Sequence, residues 1–149
     1  QGWNRGLGPL NRFEPSLINT AEQGLEVVEL VGSSALGLLL DTFHMNIEEK
    51  RSAAAIRLAG SHLVHFHACG CDRGSPGQDH IGWEAIADAL REIAYDDPIC
   101  IESFTSQNTI IAAAAAIWRP IAPSPDALAT DGLRSLRSLL AAPVLPGSR

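Results

Sequence analysis

The stretch ALGLLLD, residues 35–41, is a near-continuous apolar run that ends in an aspartate. Such a run is typical of a strand that is buried on both faces of a parallel sheet. A helix is predicted before it, over about Ser16 to Val31, because apolar residues recur there at helical spacing and Gly32 can end it. Another helix is predicted after it, over about Ile47 to Ala59, and it also ends at a glycine, Gly60. Helix, strand and helix in this order predict one part of an α/β fold.

The same alternation continues on both sides of this unit. Further strands are predicted at His62 to His67 and at Ile99 to Phe104, whereas the strand near Gly2 to Leu10 is interrupted by glycines. Helical segments are predicted at about Trp83 to Ala94, Gln107 to Trp118 and Asp126 to Leu140. Alternating strands and helices predict a parallel sheet with helical crossovers.

Four such units are half of a (β/α)8 barrel, which takes about 250 residues. We therefore predict the fold class α/β, with a partial barrel over residues 1–142 and a flexible C-terminal tail over 143–149 that contains two prolines. An open doubly wound sheet is the alternative. No glycine-rich phosphate-binding sequence follows a strand, which weakens a nucleotide-binding version of that alternative.

Composition limits the classes of function. Hydrophobic residues make up 46% and charged residues 19% of the chain, which is typical of a globular protein. The formal net charge is -6 and no run of lysine or arginine is present, so nucleic acid is not expected as a partner. No apolar run approaches a membrane span, and the first residues lack the layout of a signal peptide. The three irregularly spaced cysteines predict no disulfide framework and a reducing, cytoplasmic location.

Each of the last three predicted strands has a polar residue at or near its end: Asp41, His67 and Glu102, in chain order. The carboxyl ends of the strands of a parallel barrel meet at one mouth, so these side chains can reach a common point. Carboxylates and imidazole suit a divalent cation such as Mn2+, Mg2+ or Co2+. Taken singly, a helix cap for Asp41 and a core position for His67 are the commoner roles. Their equivalent places in successive units favour a shared metal site, and both interpretations stay open from spacing alone.

The run HFHACGC, residues 65–71, has histidine or cysteine at every second position, as a zinc site could have. An extended strand rises about 3.3 Å per residue, so the two outer residues would lie roughly 20 Å apart. One tetrahedral zinc ion, with bonds of about 2.0 to 2.3 Å, cannot span that distance. Only a tight turn after His67 would make this zinc site possible.

Further polar residues lie in the predicted strand-to-helix loops on the same side of the sheet. In chain order they are Asn11, Arg12, Glu14, His44 and Arg73. Barrel proteins carry their function in these loops. Arginine and histidine here could hydrogen-bond sugar hydroxyls, and the alternative for either residue alone is a solvated arginine or a histidine that packs the loop.

Six segments together carry a family resemblance. They are PLNRFE (9–14), LLLDTFHMNIEE (38–49), HFHACGCDRGSPG (65–77), DHIGW (79–83), CIESF (100–104) and AAAIWRPIAPSPDALATDGL (114–133). They resemble the D-tagatose 3-epimerase and D-allulose (psicose) 3-epimerase family of the xylose isomerase-like barrels, over nearly the whole chain. The resemblance implies the C-terminal half of a xylose isomerase-like TIM barrel, in which about the first four strands are missing.

The resemblance also implies a metal-dependent isomerase of carbohydrate metabolism that epimerises a free ketose at C3. One divalent cation, with Mn2+ expected first and Mg2+ or Co2+ as alternatives, is held in this family by two glutamates, an aspartate and a histidine. One glutamate removes the C3 proton and the other returns it on the opposite face. Asp41, His67 and Glu102 match three of these metal ligands, and Glu102 also matches a catalytic glutamate.

The resemblance further places Glu14, His44 and Arg73 on positions that contact the sugar. A small ketose is therefore the expected partner, and the full-length form is expected to be a homo-oligomer.

The chain departs from the family pattern at Gly8. The family pattern LEPLNRFE has its first catalytic glutamate six residues before the position of Glu14, where this chain reads LGPLNRFE. Glycine can neither bind a cation nor take a proton, and epimerisation needs a group on each face of the carbon. We therefore predict weak metal affinity and little or no epimerase turnover for the chain as written.

Two alternative functions remain on sequence grounds. One is another sugar isomerase of the same superfamily, such as a hydroxypyruvate isomerase-like enzyme or an L-ribulose 3-epimerase. The other is a non-catalytic fragment that binds sugar or metal, which Gly8 favours. A metal-dependent nuclease on the same barrel is disfavoured, because the acidic net charge would repel DNA.

Overall fold

Four parallel strands form a single sheet in the computed structural model, which describes residues 5–141. The strands are β1 (Arg5–Leu7), β2 (Leu36–Asp41), β3 (Leu63–Ala68) and β4 (Ile99–Ile101), and they lie side by side in chain order. The helices are α1 (Ala21–Val31), α2 (Thr42–Glu48), α3 (Ser52–Ala59), α4 (Trp83–Glu92), α5 (Thr109–Ala114) and α6 (Pro125–Ala141), with a short 3-10 turn over Gly60–His62. The predicted half barrel of alternating strands and helices is confirmed, whereas the predicted tail over 143–149 lies outside the described residues.

The first predicted helix begins later than expected, at Ala21 and not near Ser16. Thr20 is the residue that sets this start, because its hydroxyl accepts the Gln23 N–H while the Gln23 side chain accepts the Thr20 N–H. The residues just upstream form a loop, in which the Asn19 amide nitrogen donates hydrogen bonds to the carbonyls of Leu10 and Pro15. The predicted end of the helix is confirmed, since Gly32 adopts a left-handed conformation with φ 62°.

The single helix predicted over about 47–59 is wrong, because two helices, α2 and α3, occupy this region. The Asp41 carboxylate accepts the Phe43 N–H at 2.7 Å, so α2 starts directly after the strand, at Thr42. The backbone is extended at Glu49 and at Arg51, which separates the two helices. The apolar spacing alone could not show this cap.

The core lies between the helices and one face of the sheet. Leu38, Leu40 and Phe66 point from β2 and β3 to this side and are almost completely buried. Because strand side chains alternate between faces, Leu39 and Asp41 point to the opposite face. Asp41 lies beside His67 in the ladder, and His67 lies beside Cys100. Polar side chains therefore collect at the carboxyl end of that opposite face.

Both outer strands have an open edge in the described part of the chain, since β1 pairs with β2 alone and β4 with β3 alone. Unpaired backbone groups at an edge are a template for association with another chain. We therefore expect the 149-residue chain by itself to form dimers or larger species in light scattering after size-exclusion chromatography.

A charge placed on one edge tests the cause of this association. Cys100→Lys puts a lysine on the exposed middle position of β4, and we expect it to shift the population toward monomer. Ser138→Lys adds the same charge at an exposed position of α6 and should have no such effect. A well-behaved monomer of the unsubstituted chain would contradict the prediction.

Candidate functional site

The structure brings Asp41, His67 and Glu102 together at the carboxyl ends of three neighbouring strands. Each offers one ligand atom, and these atoms all lie within 4.8 Å of one another. Nδ1 of His67 is 3.6 Å from Oδ2 of Asp41 and 3.4 Å from Oε2 of Glu102. The register explains this, because Asp41 and His67 are ladder neighbours and Glu102 follows Cys100, the neighbour of His67, by two residues.

A buried threonine ties two of these strand ends together. The Thr42 hydroxyl accepts the Cys69 N–H at 2.7 Å and donates to the Cys69 carbonyl at 2.6 Å. Thr42 follows Asp41 directly, and Cys69 is two residues beyond His67. The two hydrogen bonds therefore continue the contact between β2 and β3 past the point where α2 begins, and they fix the two side chains relative to each other.

Arg73 supplies the positive charge in this cluster. Its guanidinium donates to Oδ2 of Asp41 at 3.1 Å and to Oε2 of Glu102 at 2.9 Å. It also lies over the Phe43 ring, with its carbon 4.0 Å from the ring centre, and 5.3 Å from the centre of the Phe104 ring. The Arg73 backbone has a left-handed φ of 66°, which is unusual for a residue with a side chain. The loop thus turns sharply to aim this guanidinium at the carboxylates.

The electrostatics of the cluster follow from these contacts. Burial alone would raise the pKa of Asp41, but the neighbouring His67 and the charge of Arg73 outweigh it and hold that pKa well below its ordinary value. The adjacent carboxylates of Asp41 and Glu102 raise the pKa of His67 to about 9. His67 therefore keeps its proton at neutral pH, and a cation that binds there has to displace it.

The metal-free protein is expected to lose stability as pH rises from 6.5 to about 9. The pKa of His67 is about 9 in the folded protein against an ordinary value of 6.5, so its stabilisation is complete below pH 6.5 and is lost as pH passes the folded value. The rise from 6.5 to about 9 is about 2.5 pKa units at about 1.4 kcal/mol each, so the free energy of unfolding should fall by at most about 3.5 kcal/mol.

Urea denaturation after EDTA treatment, at about pH 6 and about pH 9.5, measures this loss. His67→Gln should remove this contribution, so the loss of stability between the two pH values should be clearly smaller in the variant than in the unsubstituted protein. A loss of the same size in both proteins would contradict the prediction.

The three predicted sugar-contacting residues Glu14, His44 and Arg73 line the same open cavity of about 880 Å³ as the cation cluster. His44 is buried, whereas the Glu14 side chain is about half exposed. Burial lowers the pKa of His44, which favours the neutral ring. The cavity therefore combines the carboxylates of the cluster with further hydrogen-bonding side chains.

Gly8 also lines this cavity. A Cβ atom built there would meet nothing closer than 3.9 Å, and the nearest atoms belong to Leu39. Gly8 is not among the glycines with a positive φ, so its backbone does not require glycine. The position that the family resemblance gives to a catalytic glutamate therefore lines the cavity and has room for a Cβ atom.

The zinc-like run at residues 65–71 does not converge on a common point. Among residues 5–141, the cluster of Asp41, His67 and Glu102 is the one group of three or more metal-ligating side chains that comes together. Cys69 is completely buried, and burial raises the pKa of its thiol to about 12, which disfavours the thiolate that zinc needs. The structure thus agrees with the geometric argument against that site.

Sequence reasoning gave no role to several residues that shape the cavity. Phe43 and Phe104 hold the Arg73 guanidinium, and Thr42 joins the strand ends. In the sequence, the only feature that marks these three residues is that each follows Asp41 or Glu102 by one or two positions. Asn11 looks in the sequence like any other polar loop residue, yet it is buried against His44.

The donor set of the cluster fits a divalent cation. Two carboxylate oxygens and one imidazole nitrogen suit Mn2+, Mg2+ or Co2+ better than a soft cation, and the nearby Arg73 and His44 suit a ligand rich in oxygen. Fold and site together therefore define a class, namely α/β barrel proteins with a candidate cation site at the carboxyl ends of their strands. Residues 4–139 match the xylose isomerase-like TIM barrel family, and the chain belongs to that family.

Several of the similar proteins are named as sugar 3-epimerases. A probable ketose 3-epimerase of Synechocystis sp. is 48% identical over 129 residues, which are 87% of this chain and 45% of the relative. A D-psicose 3-epimerase of Ruminiclostridium cellulolyticum is 42% identical over 120 residues, 80% of this chain and 41% of the relative. The solved structure of an L-ribulose 3-epimerase has a TM-score of 0.87 and 40% identity, and the match covers 92% of this chain and 47% of that one.

The family resemblance derived from the six sequence segments is thereby confirmed. The chain spans a little under half the length of the relatives it matches, in agreement with a partial barrel. No helix within the described residues has both the length and the apolar character needed to cross a membrane.

Proposed function

We propose that this chain is the catalytic-site half of a metal-dependent ketose 3-epimerase that acts on a free ketose. The convergence of Asp41, His67 and Glu102 beside the open cavity carries this proposal. The names of the relatives support the substrate class, since they include ketose, D-psicose and L-ribulose 3-epimerases. The particular ketose and the preference for Mn2+ over Mg2+ or Co2+ are part of the proposal.

The residues take separate roles in this proposal. Asp41, His67 and Glu102 hold the cation, which when bound stabilises negative charge on the ketose oxygens. Glu102 also holds or moves the C3 proton on one face of the sugar. Arg73 and His44 orient the sugar through hydrogen bonds, and Glu14, which lines the same cavity, contacts the same ligand.

Gly8 weakens this activity in the chain as written. The opposite face of C3 lacks its proton-transferring carboxylate, and the cation lacks a fourth protein ligand. A non-catalytic protein that binds sugar or metal is therefore the second candidate, and the cavity-facing Gly8 is the observation that favours it. Another sugar isomerase of the superfamily, either hydroxypyruvate isomerase-like or an L-ribulose 3-epimerase, is the third candidate; a close structural relative is an L-ribulose 3-epimerase.

A substrate panel distinguishes these functions. The chain is joined to the N-terminal half of the Synechocystis relative, and this eight-stranded protein is called the completed barrel. Carrying Gly8→Glu and supplied with Mn2+, it is incubated with D-tagatose, D-allulose, D-fructose, L-ribulose and hydroxypyruvate. C3 epimers of the ketoses are the expected products, and aldose or hydroxypyruvate-derived products alone would overturn the proposal.

The setting of the protein is also part of the proposal. We infer a homo-oligomeric complete enzyme in the cytoplasm, and the three free cysteines Cys69, Cys71 and Cys100 support a reducing environment. The net charge of -6 supports a small-molecule partner over nucleic acid.

A further inference from the structure

Asn11 is a buried polar residue of the β1–α1 loop that contacts the site through His44. Only 2% of it is exposed, and its contacts fix the orientation of its amide. The Phe13 N–H donates to Oδ1 at 2.9 Å, and Nδ2 donates to Oε1 of Glu14 at 3.2 Å. Because a backbone N–H can only donate and a carboxylate can only accept, the amide oxygen and nitrogen are assigned without ambiguity.

Two hydrogen-bond donors of Asn11 converge on one nitrogen of His44. The Asn11 backbone N–H is 3.1 Å from Nδ1 of the ring, and the Asn11 Nδ2 is 2.9 Å from the same atom. Nδ1 therefore has to offer its lone pair. In a neutral imidazole the other nitrogen then carries the hydrogen, so the ring is the Nε2–H tautomer.

The opposite side of the ring meets another donor. Nε2 of His44 is 3.0 Å from a terminal nitrogen of Arg73, and the guanidinium has hydrogens but no acceptor. Two donors thus face each other at the cavity wall. An oxygen with free lone pairs can accept from both of them, whereas a donor group of a ligand would be repelled.

We propose that Asn11 is a positioning residue that holds His44 in the Nε2–H tautomer, so that His44 and Arg73 together present donors to one acceptor oxygen of the ligand. His44 then acts as a hydrogen-bond donor and not as a proton acceptor. The identity of that oxygen, a ketose carbonyl or the oxygen that becomes negatively charged during reaction, rests on the proposed function. The tautomer itself does not.

Nitrogen NMR of the histidine rings tests the tautomer directly, without metal or sugar. In 15N-labelled protein, Nδ1 of His44 should give the signal of an unprotonated nitrogen and Nε2 that of a protonated one. His44→Gln identifies the signals among the five histidines. The opposite assignment in the unsubstituted protein would overturn the proposal, whatever the variants show.

Asn11→Asp tests whether Asn11 is the cause. The substitution preserves shape and the acceptor for the Phe13 N–H, but it puts an oxygen where Nδ2 faced His44. The backbone N–H of Asn11 still faces Nδ1 in this variant, but the new carboxylate oxygen accepts a hydrogen bond where Nδ2 donated one, so the fraction of His44 rings with a protonated Nδ1 should rise. An unchanged Nδ1 signal in folded Asn11→Asp protein would contradict the proposal that the Asn11 side chain holds the tautomer.

Asn19→Asp is the matched control from the same loop region. The Asn19 Nδ2 also makes two hydrogen bonds, to the carbonyls of Leu10 and Pro15, but it does not contact His44. A merely structural role for Asn11 predicts similar losses of stability in both variants and no change of tautomer in either. An equal shift of the His44 signals in Asn19→Asp would therefore also count against the proposal.

Ligand affinity is measured separately, with D-tagatose as the probe and the Mn2+-loaded completed barrel that carries Gly8→Glu. Asn11→Asp should weaken D-tagatose binding by about tenfold, as expected for the loss of one good hydrogen bond. In a His44→Gln background the same substitution should have a clearly smaller effect, because only its contact with Glu14 then remains. If Asn11→Asp weakened binding equally in that background, the link through His44 would be overturned. If no ketose bound at all, the proposed function would be refuted, but the tautomer result would still stand.

Discussion

Gly8→Glu in the completed barrel is expected to raise kcat/KM for C3 epimerisation by about a thousandfold, the scale of a positioned proton-transferring group. The new carboxylate would stand on the face of the sugar opposite Glu102 and would add a fourth protein ligand to the cation. Chromatographic measurement of C3 epimers formed from D-tagatose with Mn2+ gives the rate. Turnover by the Gly8 protein at the rate of its Gly8→Glu variant would refute this expectation.

The local structure makes this substitution feasible. A Cβ atom at position 8 meets only ordinary contacts at 3.9 Å, and the position lines the cavity shared with Asp41 and His67. Gly8→Gln is the control for shape, because it has the same size but is neither a base nor a charged ligand. Gly82→Glu is the control for charge, since Gly82 has open space around it and lies outside this cavity. Neither control should restore the rate.

Asp41→Asn is expected to weaken Mn2+ binding by at least about a hundredfold, more than the usual loss when a residue that only supports a ligand is changed. Asparagine keeps the oxygen that caps α2 through the Phe43 N–H, so the helix start should survive. It removes the buried negative charge that faces both His67 and Arg73. Calorimetric titration with Mn2+ measures the effect in the completed barrel.

A second aspartate provides the comparison for this variant. Asp72 lies in the same loop as Arg73, but its side chain is partly exposed and pairs with Arg119 on the surface. Asp72→Asn should leave Mn2+ affinity unchanged within about twofold, because exposed ion pairs contribute little. Similar losses in both variants would mean that general charge, and not the cluster at the strand ends, determines cation binding.

The sequence predicted those features that depend on order along the chain. The apolar run before Asp41 and the similar strand before His67 placed the two side chains at equivalent ends of neighbouring parallel strands, and the ladder between them has that register. Strand periodicity and the fixed hand of crossovers between parallel strands are enough to predict this arrangement. Side-chain contacts need not be known.

Features that depend on contacts between distant residues were not predictable in this way. The start of α2 at Thr42 follows from a side-chain cap, which hydrophobic spacing does not record. The place of the Arg73 guanidinium between Phe43 and the carboxylates follows from a sharp loop turn. The contact of Asn11 with His44 joins residues 33 positions apart in sequence. Each depends on the geometry of loops, which composition constrains only weakly.

The left-handed backbone at Arg73 has a consequence for protein engineering. Glycine adopts this conformation freely, whereas a residue with a side chain loses roughly 1 to 2 kcal/mol there. When a divalent cation balances the negative charges of Asp41 and Glu102, the loss of the guanidinium costs less stability. Arg73→Gly should then resist heat about as well as the unsubstituted protein. A library selected for heat resistance in Mn2+ would therefore drift away from the sugar recognition proposed for Arg73, and each round of such a selection needs a parallel screen for ketose binding.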